Sequence, residues 1–263
     1  MKIALAQFDV RRGSPDHNLD LIESFAKEAS RQGAELLCLS EMATTGFDWK
    51  TNLEQLSQSP EQHLRLSEIS KSLELAICGS FLEESASGRP SNTLIYFDIT
   101  GKALAKYRKI HLFSVFDEHK HVEPGGEAVV ADIGGTKAGF GICYDLRFPE
   151  LFRRNTELGA KLQLLPAAFP YPRLEHWRTL IRARAIENQC YFIAVNQTGV
   201  EGHGEAVGSV RYFGHSMVVD PWGEVLVEAG EESGLFLADI DMDLVDTSRS
   251  KLPALNDRRP ELF

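Results

Sequence analysis

The stretch "KAGFGICYDLRFPELFRRNTELGAKLQLLPAAF", residues 137–169, decides how this chain is read. Its first part is a short apolar strand, "FPELFRRNTELGA" reads as a helix, and "KLQLLPAAF" is an apolar run of the kind buried on both faces. A strand, a helix and a buried strand in succession point to a layered α/β arrangement.

The pattern continues in both directions. Upstream, "AVVADIGGTKAGF" gives two strands around a Gly-Gly turn. Downstream come the helix "HWRTLIRARAIENQ", the strand "YFIAVNQTG", a hairpin turning at Pro221-Trp222-Gly223, and the strand "GLFLADID". The N-terminal half has the same logic. "KIALAQFDV" is β-like, and residues 17–32 carry Leu19, Ile22, Phe25, Ala26 and Ala29 at helical spacing before Gly33 stops the helix. "AELLCLSE" is a short apolar strand closed by Glu41. A polar segment near residues 50–60 leads into a helix ending near Leu73. "LAICGSFLEE" and "NTLIYFDITGKALAKYRK" are successive strands, with "DITGK" as a turn. No low-complexity run or composition break interrupts the chain, so a single mixed α/β domain over residues 1–263 is expected.

The 263 residues are 43% hydrophobic and 25% charged, enough for a substantial core without staples. A formal charge of −10 argues against nucleic acid and against an anionic membrane surface. The start "MKIALAQFDVRRG" lacks the apolar core and cleavage site of a secretion signal, and no apolar run has membrane-spanning length. A soluble cytoplasmic protein is expected. Cys38, Cys78, Cys143 and Cys190 show neither C-x-x-C pairing nor zinc spacing, and His119 with His121 lacks a third clustered ligand, so no metal is expected. Cys38, Cys78 and Cys190 sit in apolar runs as small core hydrophobes.

Cys143 is different, because it stands beside Tyr144 and Asp145 at a strand end. Ligands in α/β sheets gather at the carboxyl ends of strands, and Glu41 and Lys109 close two others. Each alone has a plain explanation: a strand-end cap, a solvated lysine, a fourth core thiol. Together they supply what acyl transfer through a thiol needs. A desolvated glutamate can remove the thiol proton, and an ammonium can stabilise first the thiolate and then the oxyanion. The backbone N–H of Tyr144 is a candidate second oxyanion donor. Two other readings stay open. The chain can be a catalytically silent binding scaffold, or a cysteine protease using His111 or His176 as base.

The segments "LCLSEMATTGF", "KYRKIHLF", "GICYDLRFPEL", "ARAIENQ" and "GHSMVVDPWGEV" resemble, in order and spacing over nearly the whole chain, the nitrilase superfamily of carbon–nitrogen hydrolases. The resemblance implies an αββα sandwich, a homodimer and no cofactor. It places the family's triad on Glu41, Lys109 and Cys143. The family's additional glutamate falls on Glu118, with Asp117 and Glu123 close by. Cys143 is then the nucleophile, Glu41 the proton carrier, Lys109 the oxyanion holder, and Glu118 the group that orients Lys109. The short 114–126 loop, "PRLEHW" and "CYDLRFPE" look most like bacterial omega-amidases, which release ammonia from 2-oxoglutaramate or 2-oxosuccinamate. Deaminated-glutathione amidase and N-carbamoyl amide hydrolase are the alternatives.

A 2-oxo acid needs a cation in the pocket, and Arg173 after "FPYP" is the candidate. Arg147, in the turn beside Cys143, suits a structural ion pair instead. Phe47, Phe116 and Trp177 are candidate pocket walls.

Overall fold

The computed structural model describes residues 1–202 and 208–262. The first half runs β1 (Lys2–Gln7), α1 (Pro15–Arg31), β2 (Leu36–Cys38), α2 (Trp49–Glu54), α3 (Ser59–Leu73), β3 (Ala76–Glu84), β4 (Pro90–Phe97) and β5 (Ala103–Arg108). The single turn α4 (Glu118–His121) leads to β6 (Val130–Ile133), β7 (Thr136–Phe140), α5 (Pro149–Glu157) and β8 (Leu162–Ala167). Then follow α6 (Leu174–Asn188), β9 (Tyr191–Asn196), β10 (Thr198–Gly202), β11 (Ser209–Phe213), β12 (Met217–Val219), β13 (Val225–Glu228), β14 (Gly234–Asp239) and α7 (Asp243–Lys251).

Two six-stranded sheets result, ordered β14-β1-β2-β3-β4-β5 and β13-β12-β9-β8-β7-β6. The period-2 alternation of side chains along β1 shows how they pack. Ile3 and Leu5 face the other sheet, in a core shared with Leu162, Leu164 and Phe140. Ala4 and Ala6 face outward and receive Leu19, Ile22, Ala26 and Ala29 of α1. In the second sheet Phe152 of α5 and Ile181 and Ala185 of α6 join the apolar core. The layers are therefore helix, sheet, sheet, helix: an αββα sandwich. The turn between β6 and β7 falls at Gly134 and Gly135, whose φ values of +59° and +83° any Cβ would strain.

The sequence expectations differ from the fold in four places. The strand in "AELLCLSE" is only three residues long, so Glu41 lies beyond its end rather than closing it. The polar 50–60 segment is helical, with α2 capped by the Asp48 side chain on the Thr51 N–H at 3.1 Å. The β10–β11 hairpin and α7 were not anticipated.

At the centre of each sheet the strands run parallel: β1, β2 and β3 in one, β7, β8 and β9 in the other. β5 is antiparallel to β4, itself antiparallel to β3, so β5 points the same way as β2. The carboxyl ends of β2, β5, β7 and β8 carry the residues described next.

Candidate active site

Glu41 sits in the loop that leaves β2, where its N–H reaches across to Ala167 O at 3.3 Å on the opposite sheet. Lys109 directly follows β5, fixed by its N–H on Asn92 O at 2.9 Å. Cys143 opens a 3₁₀ turn, Cys143–Arg147, three residues past β7. Its φ is +46°, in the left-handed region that a β-carbon disfavours.

That turn is held by Asp145, which is fully buried. Its carboxylate accepts from Ile142 N–H at 2.9 Å and from Tyr107 O–H at 2.7 Å. It also accepts from His111 N–H at 3.0 Å and meets His111 Nδ1 at 2.7 Å. Tyr107 and His111 lie two residues either side of Lys109. One carboxylate thus ties the Cys143 turn of one sheet to the Lys109 strand of the other. Sequence reading missed this role, because the contact is between residues distant along the chain.

The side chains converge in the interior, with Glu41 and Glu118 each 1%, Lys109 2% and Cys143 8% exposed. Lys109 Nζ donates to Glu41 Oε1 at 2.7 Å and to Glu118 Oε1 and Oε2 at 3.0 and 2.8 Å. Asn92 Nδ2 donates to Glu41 Oε1 at 2.8 Å and to Glu118 Oε1 at 3.3 Å. Glu41 Oε2 accepts from Ala168 N–H at 3.0 Å, and Glu118 Oε2 from Phe113 N–H at 2.7 Å. Cys143 borders the same cavity as Glu41, Lys109 and Glu118.

These contacts set the protonation states. Burial raises the Glu41 carboxyl above its ordinary value, with Lys109 opposing and Glu118 reinforcing the shift. Burial and the adjacent Glu41 charge push the Cys143 thiol well up. Burial alone would lower Lys109, but the Glu118 and Glu41 carboxylates outweigh it and hold the ammonium above its ordinary value. The resting arrangement is a thiol beside a carboxylate beside a permanent cation. It can pass a proton from sulfur to Glu41 while Lys109 offsets the charge that develops.

Phe47 and Phe116 line the cavity in front of these groups, together with Trp49, Phe113 and Tyr212. The last three were not anticipated. Trp49 arrives on the unforeseen α2, Tyr212 on the unforeseen hairpin, and only Phe113, in "KYRKIHLF", adjoined a segment already singled out. These groups and rings enclose a narrow cavity of about 20 Å³, roughly the room of one water molecule. Trp177 is not a wall. It is fully buried in the core, its Nε1–H donating to His215 O at 2.7 Å, because α6 turns that face inward.

Glu118, rather than its acidic neighbours, meets Lys109. Asp117 pairs with Lys120 at 3.0 Å, and Glu123 bonds the Ser85 and Ser87 hydroxyls. Tyr144 follows Cys143 at the head of the 3₁₀ turn, where the first N–H groups have no carbonyl of the turn to bond. His111 is engaged by Asp145 and stacks on Phe148 at 3.7 Å, while His176 meets Arg147 Nη2 at 3.3 Å. Arg173 lies beside the site, its guanidinium 5.9 Å from the Phe113 ring centre. Arg147 makes no ion pair with a carboxylate among the described residues, contrary to the expectation for it. Cys38, Cys78 and Cys190 are buried free thiols in the core. Among the described residues no group of three or more His, Cys, Asp or Glu side chains is placed to hold a metal ion, and no helix is long and apolar enough to cross a membrane.

The sequence profile of the carbon–nitrogen hydrolase family matches residues 2–250. A 2-oxoglutaramate amidase of Bacillus subtilis is 36% identical over 263 residues, covering 99% of this chain and 98% of that one. An omega-amidase of Homo sapiens is 34% identical over 271 residues, covering 100% of this chain and 96% of its own. Among solved structures, a mutant of the amidase from Nesterenkonia sp. AN1 superimposes with a TM-score of 0.85 at 32% identity, over 96% of this chain and 98% of that one. It shows the result of Michael addition of acrylamide at the active-site cysteine. Full-length similarity to amidases, on an αββα frame that brings a thiol, two carboxylates and a lysine together, makes this chain a member of the carbon–nitrogen hydrolase family.

Proposed function

We propose that the chain is an omega-amidase, hydrolysing the terminal amide of a short 2-oxo acid, 2-oxoglutaramate or 2-oxosuccinamate, to a 2-oxo dicarboxylate and ammonia. The observation that carries the chemistry is the convergence of Cys143, Glu41, Lys109 and Glu118 on one cavity, with Lys109 Nζ donating to Glu41 Oε1 at 2.7 Å. The B. subtilis and human relatives support the substrate class.

In the first half-reaction Glu41 takes the thiol proton as Cys143 Sγ attacks the amide carbon. The resulting oxyanion is held by the Lys109 ammonium and the Tyr144 N–H. Collapse of the tetrahedral adduct breaks the C–N bond, Glu41 returns its proton to nitrogen, and ammonia leaves a thioester on Cys143. A water, deprotonated by Glu41, then attacks the thioester. Sulfur departs and recovers the proton from Glu41, which restores the resting state. Glu118 keeps Lys109 oriented through two bonds of 3.0 and 2.8 Å. Because Lys109 lies between two carboxylates, its cation is present at every step. The chemistry uses only groups of the chain and needs no cofactor.

We read residues 1–263 as one catalytic domain acting as a cytoplasmic homodimer. The test is an ammonia-release comparison across 2-oxoglutaramate, 2-oxosuccinamate, glutamine, deaminated glutathione, N-carbamoyl compounds and nitriles. The 2-oxo acid ω-amides should give the highest kcat/KM. A clear preference for deaminated glutathione or an N-carbamoyl compound would overturn the substrate assignment. No turnover of any amide by folded protein would return the chain to a binding scaffold.

A further inference from the structure

Asn92 stands on β4, on the same face as Leu94 and Tyr96, which lie in the core between the sheets. It is buried, and it is not among the described residues that line the cavity. Its Nδ2 nevertheless donates to Glu41 Oε1 at 2.8 Å and to Glu118 Oε1 at 3.3 Å. Lys109 Nζ reaches the same two oxygens at 2.7 and 3.0 Å. The two carboxylates are therefore bridged twice, once by a cation and once by a neutral amide. The Asn92 backbone carbonyl also accepts the Lys109 N–H at 2.9 Å, so one residue touches both carboxylates and the lysine. Ser80 fixes which way the amide faces. Its Oγ accepts from Met42 N–H at 2.9 Å, and its own hydrogen goes to Asn92 Oδ1 at 2.8 Å. A flipped amide would set its oxygen against two carboxylates and lose the Ser80 bond. Ser80 also holds the loop that carries Glu41, because its carbonyl accepts from Ala43 N–H at 3.0 Å.

We propose that Asn92, aimed by Ser80, is a positioning residue for the proton carrier, holding Glu41 as a carboxylate in place to take the thiol proton; this rests on the mechanism proposed above. The charged and titratable groups that face Glu41 are Lys109 after β5, Glu118 on α4, Cys143 in the 3₁₀ turn and Tyr212 on β11. Of these only Lys109 brings a positive charge, while burial and Glu118 both disfavour the ionised form of Glu41. A hydrogen bond donated to a carboxylate favours its ionised form, so the amide offsets part of that cost. It does so without charge. A second cation at this place would stabilise the carboxylate further and make it a weaker base, whereas a neutral donor leaves it able to accept a proton near neutral pH. Asn92 sits behind the carboxylates rather than in the cavity, so its effect reaches the reaction through Glu41 and belongs to kcat more than to KM.

The test is the pH dependence of kcat and kcat/KM in the native enzyme, Asn92→Ala, Ser80→Ala and the double variant, with thermal unfolding to confirm that each is folded. Loss of the donor raises Glu41, and the carboxylate is the active form, so the acid limb should move to higher pH. A shift of about one pH unit is expected in Asn92→Ala, which is about a tenfold loss on the acid side, with a smaller shift in Ser80→Ala. KM above the limb should change little. Because Ser80 acts through Asn92, the double variant should shift no further than Asn92→Ala. A merely structural role would lower the unfolding temperature and leave the limb in place. An unmoved limb in folded Asn92→Ala, a loss confined to KM, or shifts that add in the double variant overturns the proposal. Should Asn92→Ala fail to fold, Ser80→Ala decides, and an unmoved limb there overturns it. Native enzyme that cleaves other amides but not 2-oxoglutaramate refutes the substrate assignment instead, and the limb is then read on the amide that turns over. If no amide turns over, the pH dependence of Cys143 alkylation by iodoacetamide, in which Glu41 takes the same proton, carries the test.

Discussion

Replacing Glu41 by glutamine tests the proton carrier with almost no change in shape. Glu41 receives donors on both oxygens: Lys109 and Asn92 on Oε1 at 2.7 and 2.8 Å, and Ala168 N–H on Oε2 at 3.0 Å. A glutamine can accept on one side only. The less costly orientation keeps its oxygen toward Lys109 and Asn92, which turns its NH₂ against the Ala168 N–H. One buried hydrogen bond is lost there and a donor faces a donor, for a stability cost of about 1–3 kcal/mol. A second cost follows, since Lys109 then has only Glu118 to balance it. The kinetic loss should be larger. A positioned general base contributes about 10²- to 10⁴-fold, or roughly 3–5 kcal/mol of barrier. In the proposed mechanism the same group handles the proton in both half-reactions, which argues for the upper end. The assay is ammonia release at saturating substrate, with thermal unfolding to confirm that the variant is folded. A folded Glu41→Gln protein with kcat within tenfold of the native enzyme would refute the mechanism.

Four further outcomes are expected. Iodoacetamide at low concentration should modify Cys143 and abolish activity before it reaches Cys38, Cys78 or Cys190, all in the core; peptide mass mapping that finds another cysteine modified in step with inactivation would reverse the assignment. Glu118→Ala should be severely impaired because Lys109 loses its two-oxygen partner, and an intact rate in the purified variant would remove that role. Since burial raises Glu41 and the carboxylate is the active form, kcat/KM should fall with decreasing pH through a midpoint above the ordinary glutamate value of about 4.3. Lys109, held above its ordinary value, should impose no loss below about pH 10, and an acid limb at or below 4.3 would contradict the burial argument. Sedimentation should give twice the 29.3 kDa chain mass, and a concentration-independent value near 29.3 kDa would exclude the dimer.

Much of the frame was legible because its signals are local. The apolar run of β1, the apolar stripe of α1 and the Gly-Gly turn are each written within a few consecutive residues. Glu41, Lys109 and Cys143 drew notice because charged or reactive groups ended apolar runs. The site's surroundings were less legible. Asp145 reads as an ordinary polar residue until Tyr107 and His111 arrive from another sheet to bond it. Trp49 and Tyr212 reach the cavity on a two-turn helix and a partly polar hairpin, neither with a clear periodicity. Trp177 misled because an aromatic near a pocket-forming sequence is equally suited to a core, and the pitch of α6 turns it inward. Arg147 suited a structural ion pair by its place in the sequence, and only the location of carboxylates in the fold shows that among the described residues it has none.

The left-handed backbone at Cys143 sets what stability engineering can do with this protein. At φ +46° a cysteine pays a conformational penalty of about 1 kcal/mol that glycine would not. At this position the strain falls on the proposed nucleophile, and the Asp145 bonds keep the turn from relaxing out of it. A search for variants that tolerate heat, run without an activity screen, would therefore be drawn toward this elbow. Each gain there would remove the proposed nucleophile or release the turn that presents it. Thermostable and active variants are better sought on the outer helical layers, away from the residues that hold this turn.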